Sequence, residues 1–524
     1  MMKLGKNILH TILFGTYPLI YLFSENYSDI NLPELVLPLV ILIAAPIVIL
    51  ILTQLVLKDI IKSSLIVSLF LLLVLYYYDY YLLIIGFLYL SKILIAYVGI
   101  SVFVILLILI IRTKKDLLVY NTFLSVIAVS FYIVPLFYIS INTYNSFKFS
   151  LTDQNIVNDQ KNIQQNGKAV LKRDIYYLIF DQYSREDILK SGYNYDNSGF
   201  INFLKDKGFY IADKSYSNYP HTLQSLASSL NMEYINYLSK NEEENNNDPL
   251  LLHKLIEDNK VMKYLKSQNY KFIHFGSGVG FTKSNFNADV NYTIYSYTEA
   301  EKTIIKILYL ESIISPIVIK LFDKDLVENK IVQGPRISKR EGILFQLDRL
   351  SEIPKDPQLT FVFMHLLIPH SPYVFDEDGN YVSLKEEKRY TVQQSYVRQL
   401  KFFNKKLIDV INKLIVNSHY KPIIIIQSDE GHYPRGYSYR EPNLSKYSVE
   451  KLKHKFAILN TFYFPDTNVE QLYPSITPVN TFRLLFNLYF KENYELLEDK
   501  HFNTNYYKYY NFLDVTDKLK AVDN

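Results

Sequence analysis

Residues 423–432 read Ile-Ile-Ile-Ile-Gln-Ser-Asp-Glu-Gly-His: four β-branched apolar residues run into Asp429, Glu430 and His432. A short unbroken apolar run of this kind fits a strand covered on both faces in a parallel sheet. Four other runs in the same half of the chain read as strands, at 175–180, 271–275, 359–366 and 456–464. Amphipathic stretches separate them, at 198–207, 253–268 and 392–416. This alternation predicts an α/β domain with a mostly parallel sheet flanked by helices. Ligands of such sheets bind beyond the carboxyl ends of the strands, which is where chemistry is to be sought.

Titratable residues stand at those ends. Asp181 closes the first run, and Asp429 closes the run 422–427. His365 lies within the third, followed by Pro369-His370-Ser371-Pro372. Between the first two runs, 218–231 carries Thr222 and Ser225. Carboxylates converging on one sheet edge repel each other unless a cation offsets them. Oxygen ligands suit Mg²⁺, Mn²⁺ or Ca²⁺, and an added histidine suits Mn²⁺ or Zn²⁺. Asp181 and Asp429 are equally suited to capping the helices that follow, and Thr222 to an N-cap. His365, inside a β-run, fits a packed core residue. Arg185 fits an anion clamp or a surface ion pair.

The N-terminal part has a different character. Five apolar segments approach the roughly 20 residues that span a bilayer: 8–23, 35–57, 63–78, 93–111 and 118–139. The second tolerates Pro38 and Pro46 as a membrane helix. The third ends in Tyr76, Tyr77, Tyr78 and Tyr80, suited to the headgroup level. The apolar stretch 81–90 extends it, lies in the interface or forms a further span. Lys58, Lys62, Arg112, Lys114 and Lys115 flank the second and fourth segments, whereas the loop after the first carries Glu25, Asp29 and Glu34. By the positive-inside rule the N-terminus is cytoplasmic, and five spans put the rest of the chain outside.

The domain reading is therefore a helical membrane anchor over 1–140, a polar linker over 141–170, a catalytic α/β domain over 171–500 and a C-terminal extension over 501–524. An acidic, Asn-rich run at 241–248 reads as a solvated loop. A net charge of +4 over 524 residues gives no ground for nucleic-acid binding. The absence of cysteine excludes disulfides, thiolate metal sites and cysteine nucleophiles.

The phrases YPHTLQSLASSLNMEYI, FMHLLIPHSPYVFDEDG, IIIIQSDEGHYP, FAILNTFYFPD and YPSITPVNTFRLLFNLYF, in this order over about residues 170–495, resemble the alkaline phosphatase/sulfatase superfamily. They look most like its membrane-bound members related to lipoteichoic acid synthase and phosphoethanolamine transferases. The resemblance implies one divalent ion held by Asp181, Thr222, Asp429 and the residue after it. That residue is histidine in the family and Glu430 here, which favours Mn²⁺, Mg²⁺ or Ca²⁺ over Zn²⁺; His432 is a substitute two residues on. It further implies Thr222 as nucleophile, with Ser225 as fallback, and His370 stabilising charge. His365, Arg185 and His454 are the substrate-binding candidates. The implied activity is hydrolysis or transfer of phosphate- or sulfate-ester groups on envelope glycans or lipids, at the outer face of the cell membrane. The alternative is an inactive sulfatase fold retained as a binding module. A catalytic role for the spans themselves is disfavoured by their near lack of ionisable residues.

Overall fold

The computed structural model describes residues 2–25, 27, 32–85, 92–144, 173–240, 249–278, 280–293, 334–356, 358–433, 438, 441, 443–505 and 508–523. The linker beyond residue 144, the 241–248 run and residues 86–91 lie outside them. The described residues fall into two units, one up to residue 144 and one from residue 173 onward.

The first unit is helical: α1 (Met2–Glu25), α2 (Leu32–Leu57), α3 (Ile60–Leu75), α4 (Tyr77–Ile85), α5 (Lys92–Arg112) and α6 (Leu118–Phe131), the last continuing past a turn at Tyr132 to Tyr144. Among the described residues, three helices are long and apolar enough to cross a membrane: Leu35–Leu57, Leu94–Arg112 and Leu118–Tyr144. A fourth candidate is the pair Ile60–Leu75 and Tyr77–Ile84, bent by 60°. Five spans are expected from the sequence; among the described residues three helices have the length and composition of a span, or four with the bent pair. The expected first span, α1, is not among these candidates and carries Asn7, His10, Thr11 and Thr16 among its apolar residues. The buried ones are used for packing: His10 hydrogen-bonds Ser68 of α3 at 2.6 Å and Asn121 of α6 at 2.9 Å, and Thr16 meets Tyr132 at 2.6 Å. Such polar contacts hold apolar helices together where no hydrophobic force acts between them. Lys62 donates to the carbonyls of Ile111 and Thr113 at 3.1 and 2.8 Å, so the basic residues flanking α2 and α5 share one end.

The second unit is built on a seven-stranded sheet in the order β2-β7-β6-β1-β5-β3-β4. The strands are β1 (Ile175–Phe180), β2 (Tyr210–Ile211), β3 (Lys271–Phe275), β4 (Val290–Tyr292), β5 (Thr360–Leu366), β6 (Ile423–Gln427) and β7 (Asn460–Tyr463). β6, β1, β5, β3 and β4 run parallel; β7 is antiparallel to β6 and to β2. This is the mostly parallel, helix-flanked sheet read from the sequence. β1, β5 and β6 are buried along their whole length. Alternate residues feed two cores: Tyr177, Phe363 and Ile425 on one face, Leu178, Met364 and Ile426 on the other. The expected strand at 456–464 narrows to β7: Phe456 closes helix Val449–Phe456, and Ala457 and Ile458 make isolated bridges to Tyr216 and Ser184. The single amphipathic stretch at 253–268 is two helices, Leu250–Glu257 and Lys260–Ser267. Asn259 interrupts it by accepting from the Met262 amide as N-cap. Beyond the sheet, β8 (Phe502–Asn505) and β9 (Lys508–Asp514) form a hairpin whose Phe502, Tyr509 and Tyr510 join the first core.

Candidate metal centre

Register brings three ligand groups to one edge. His365 on β5 and Gln427 on β6 both pair with Ile179 on the central strand β1. Asp181 lies two residues past Ile179, and Asp429 two past Gln427. The carboxyl ends of three adjacent parallel strands therefore deliver Asp181, His365 and Asp429 together. Their ligand atoms lie within 4.8 Å of one another, and His365 Nε2 is 3.9 Å from Asp429 Oδ2. All three residues are buried. Asp181 Oδ1, His365 Nε2 and Asp429 Oδ2 have no hydrogen-bond partner among the described residues. Native proteins rarely leave buried polar atoms unpaired. Burial first, then the charges of Asp429 and Glu430, push the Asp181 carboxyl well above the usual carboxylate range. Burial lowers the His365 imidazole, so its Nε2 lone pair is available to a cation. Two carboxylate oxygens and one imidazole nitrogen are a fitting donor set for a divalent transition ion.

Glu430 is turned elsewhere. Its Oε1 accepts from Lys455 Nζ at 2.8 Å and from Gln182 Nε2 at 3.0 Å, while Oε2 lies 3.9 Å from His221 Nδ1. Burial raises the Glu430 carboxyl and lowers the Lys455 ammonium, and each opposes the other's shift. Lys455 also donates to the Gly431 carbonyl at 3.1 Å and stands 3.6 Å from the centre of the Tyr433 ring. Gly431 makes this approach possible. A Cβ there would lie 2.4 Å from the His454 carbonyl oxygen and 2.7 Å from that of Lys455. Glu430 thus lies outside the three-residue ligand group, although the sequence resemblance placed it at a ligand position.

Thr222 opens helix Thr222–Asn231 and is partly exposed. The first turn of that helix is docked on the loop that carries Asp429: Ser225 Oγ donates to the Asp429 carbonyl at 2.7 Å, and His221 faces Glu430. Ser225, the fallback candidate, is buried and donates to that carbonyl, whereas Thr222 is partly exposed. His370 sits beside Asp181, donating its amide to the Asp181 carbonyl at 3.2 Å. Its ring Nδ1 is bonded to the Ser371 carbonyl. Burial, then the Lys339 charge, hold its imidazole well below the usual value. Facing a carbonyl oxygen, Nδ1 is the donor of the bond to Ser371.

The other expected residues are held elsewhere. Arg185 forms a two-pronged pair with Asp187 at 2.7 and 3.0 Å and donates to the Ser215 carbonyl at 3.1 Å. It is buried among these partners. His454 packs over Gly192 and stacks on Tyr193, with ring centres 6.4 Å apart. His432 meets Tyr193 through Nδ1 at 2.6 Å and Tyr373 through Nε2 at 3.0 Å, so neither nitrogen is free to ligate. His365 stands with the ligand carboxylates, not at a separate substrate-binding position.

Sequence reasoning missed Lys455, Gln182, Lys339 and Thr282. Gln182 holds a positive φ of 63°, and its backbone amide reaches Asp429 Oδ1 at 3.4 Å. Lys339 donates to the His370 carbonyl at 2.7 Å. A lysine directly ahead of an apolar run was the one available signal for Lys455; nothing local marks the others.

No protein-family model matches the chain, and no curated protein matches it. Among solved structures, the C-terminal periplasmic domain of EptC from Escherichia coli is similar at 14% identity. That match covers 68% of this chain and 97% of that one, with a TM-score of 0.43. A zinc complex of the same domain gives 14%, 67%, 95% and 0.42. The soluble domain of lipooligosaccharide phosphoethanolamine transferase A from Neisseria meningitidis gives 12%, 62%, 89% and 0.36. At such identities and TM-scores the likeness says nothing of activity or substrate, which rest on the residues of the site.

Proposed function

We propose that this chain is a membrane-anchored, divalent-metal-dependent transferase or hydrolase of phosphate- or sulfate-ester groups, acting outside the cytoplasm on envelope glycans or lipids. One observation carries the reading: three buried ligand atoms, without partners among the described residues, converge where β1, β5 and β6 end. Unpaired buried charge is costly, and a cation removes the cost. The charges support a single divalent ion. Lys455 offsets Glu430, and Asp181 and Asp429 balance the ion. Asp181, Asp429 and His365 would hold it, and the nitrogen ligand moves the preference from Mg²⁺ or Ca²⁺ towards Mn²⁺ or Zn²⁺. When bound, such an ion supplies Lewis acidity toward an ester oxygen and lowers the pKa of a nearby hydroxyl or water.

Thr222 is the proposed nucleophile. Its hydroxyl attacks phosphorus or sulfur, an alcohol leaves, and the group passes from Thr222 to water or an acceptor hydroxyl. Its place at a helix N-terminus suits the anionic oxygens of the transferred group. His370, held beside Asp181, is the proposed partner of charge on the oxygens of the transferred group. The extracytoplasmic placement rests on the shared basic end of α2 and α5. α6 begins a few residues after Lys115, so its far end faces outside if that basic end is cytoplasmic.

The Glu430–Lys455 pair favours a second reading, a binding module on a retired catalytic site, because it fills part of the site with a protein-borne cation. One comparison separates the two: the detergent-solubilised full chain and its Thr222→Ala variant, assayed with bis(p-nitrophenyl) phosphate and p-nitrophenyl sulfate, with Mn²⁺ or Zn²⁺ and with chelator. The enzyme reading expects metal-dependent turnover that Thr222→Ala loses while keeping the ion. Full activity in Thr222→Ala removes it as nucleophile; no bound ion and no turnover in the wild type favours the binding module.

A further inference from the structure

His365 can serve a cation only in one tautomer: the proton must sit on Nδ1 and the lone pair on Nε2. Its Nδ1 lies 2.9 Å from Thr282 Oγ1. Thr282 Oγ1 in turn lies 2.6 Å from Ser277 Oγ. When Thr282 donates its hydroxyl proton to Ser277, it presents a lone pair to the His365 Nδ1–H. The chain Nδ1–H to Thr282 to Ser277 then leaves Nε2 bare beside Asp429. His365, Thr282 and Ser277 are all fully buried, so no bulk water competes for these bonds.

The loop that carries Thr282 is fixed from several sides. The Thr282 carbonyl accepts from the Ser277 amide at 2.9 Å and pairs with His274 Nε2 at 3.0 Å. A Cβ on Gly276 would lie 1.8 Å from the Lys283 carbonyl oxygen, so only glycine lets the loop close this tightly. Gln346 Nε2 holds the Gly276 carbonyl at 2.6 Å. The hydroxyl is therefore placed by backbone geometry, not by a mobile side chain.

We infer that Thr282 is a positioning residue that sets the tautomer and orientation of His365, making His365 the nitrogen ligand of the metal centre. The inference rests on the proposed metal site and adds to it a residue that touches neither metal nor substrate. Outer partners of ligating histidines commonly fix ring orientation in this way.

The test is titration of the metal-free, detergent-solubilised full chain with Zn²⁺ and with Mn²⁺, read by calorimetry, with the thermal midpoint of each metal-free variant recorded alongside. Thr282→Val keeps the side-chain shape and removes the acceptor. It is expected to weaken affinity about 10–100-fold, with the metal-free midpoint little changed. Thr282→Ser restores the hydroxyl and is expected to restore affinity. Ser277→Ala is the independent variant should Thr282→Val fail to fold. It frees the Thr282 hydroxyl to donate to Nδ1, which favours the wrong tautomer and weakens binding. Wild-type affinity in Thr282→Val, or in Ser277→Ala where Thr282→Val does not fold, overturns the inference and leaves the metal site standing. A wild type that binds neither ion overturns the metal site itself, and the inference with it.

Discussion

Replacing Lys455 by methionine leaves the Glu430 carboxylate buried without its counter-ion. The pair is 2.8 Å apart with side-chain exposures of 0% and 4%, so solvent screens it little. Removing one partner of such a pair costs about 3–5 kcal/mol, most of it the uncompensated charge. At about 2.1 cal/mol/K per residue over a unit of about 300 residues, that loss lowers the thermal midpoint by about 5–8 °C. The effect depends on pH in a definite direction. The folded-state pKa of Glu430 is raised, and losing Lys455 raises it further. A group with a raised folded pKa contributes stability that is fully present below its unfolded pKa and is lost as pH rises through the folded value. The deficit of Lys455→Met is therefore small in mild acid and grows towards pH 8. The double variant Glu430→Gln/Lys455→Met removes both charges and recovers most of the loss. The assay is thermal unfolding of the metal-free full chain from pH 5 to pH 8. A single variant within about 1 kcal/mol of wild type at pH 8, or a double variant no better than the single, refutes the reasoning.

Asp181→Asn removes a buried charge whose pKa is raised by burial, Asp429 and Glu430. It is expected to raise the thermal midpoint of the metal-free protein while abolishing any gain from Mn²⁺ or Zn²⁺, checked by unfolding with and without each ion. The same raised pKa predicts that the metal-free wild type loses stability between mild acid and neutral pH, and that saturating ion flattens this slope; melting curves across pH decide it. Gly431→Ala forces a Cβ against the carbonyl oxygens of His454 and Lys455. Overpacking of this kind costs about 1–3 kcal/mol and should weaken metal binding by shifting the adjoining Asp429, read by denaturation and by metal titration.

The sheet was legible because its central strands are apolar on both faces: β1 and β3 fall on their expected residues, and β5 and β6 within one residue of them. β2 and β4, two and three residues long, lack enough pattern to be read. Asp181 and Asp429 were legible because each follows closely on an apolar run. His365 was seen, but whether it packs or ligates depends on the register of β5 against β1, which local sequence does not state. The partnership of Glu430 with Lys455 joins residues far apart in sequence through the close packing at Gly431, and no spacing rule announces it. Arg185 fits an anion clamp or an ion pair by sequence, and the local geometry gives its guanidinium to Asp187 two residues on. The first membrane segment looked like a span by length, while its buried His10 and Thr16 hydrogen-bond other helices.

The most direct test is a crystal structure of the manganese- or zinc-soaked full chain, with the ion located by its anomalous scattering. The account predicts one ion at about 2.0–2.3 Å from oxygens of Asp181 and Asp429 and from His365 Nε2, with Glu430 still paired to Lys455. An ion bound by Glu430 without His365, or no ion at this sheet edge under saturating metal, contradicts it.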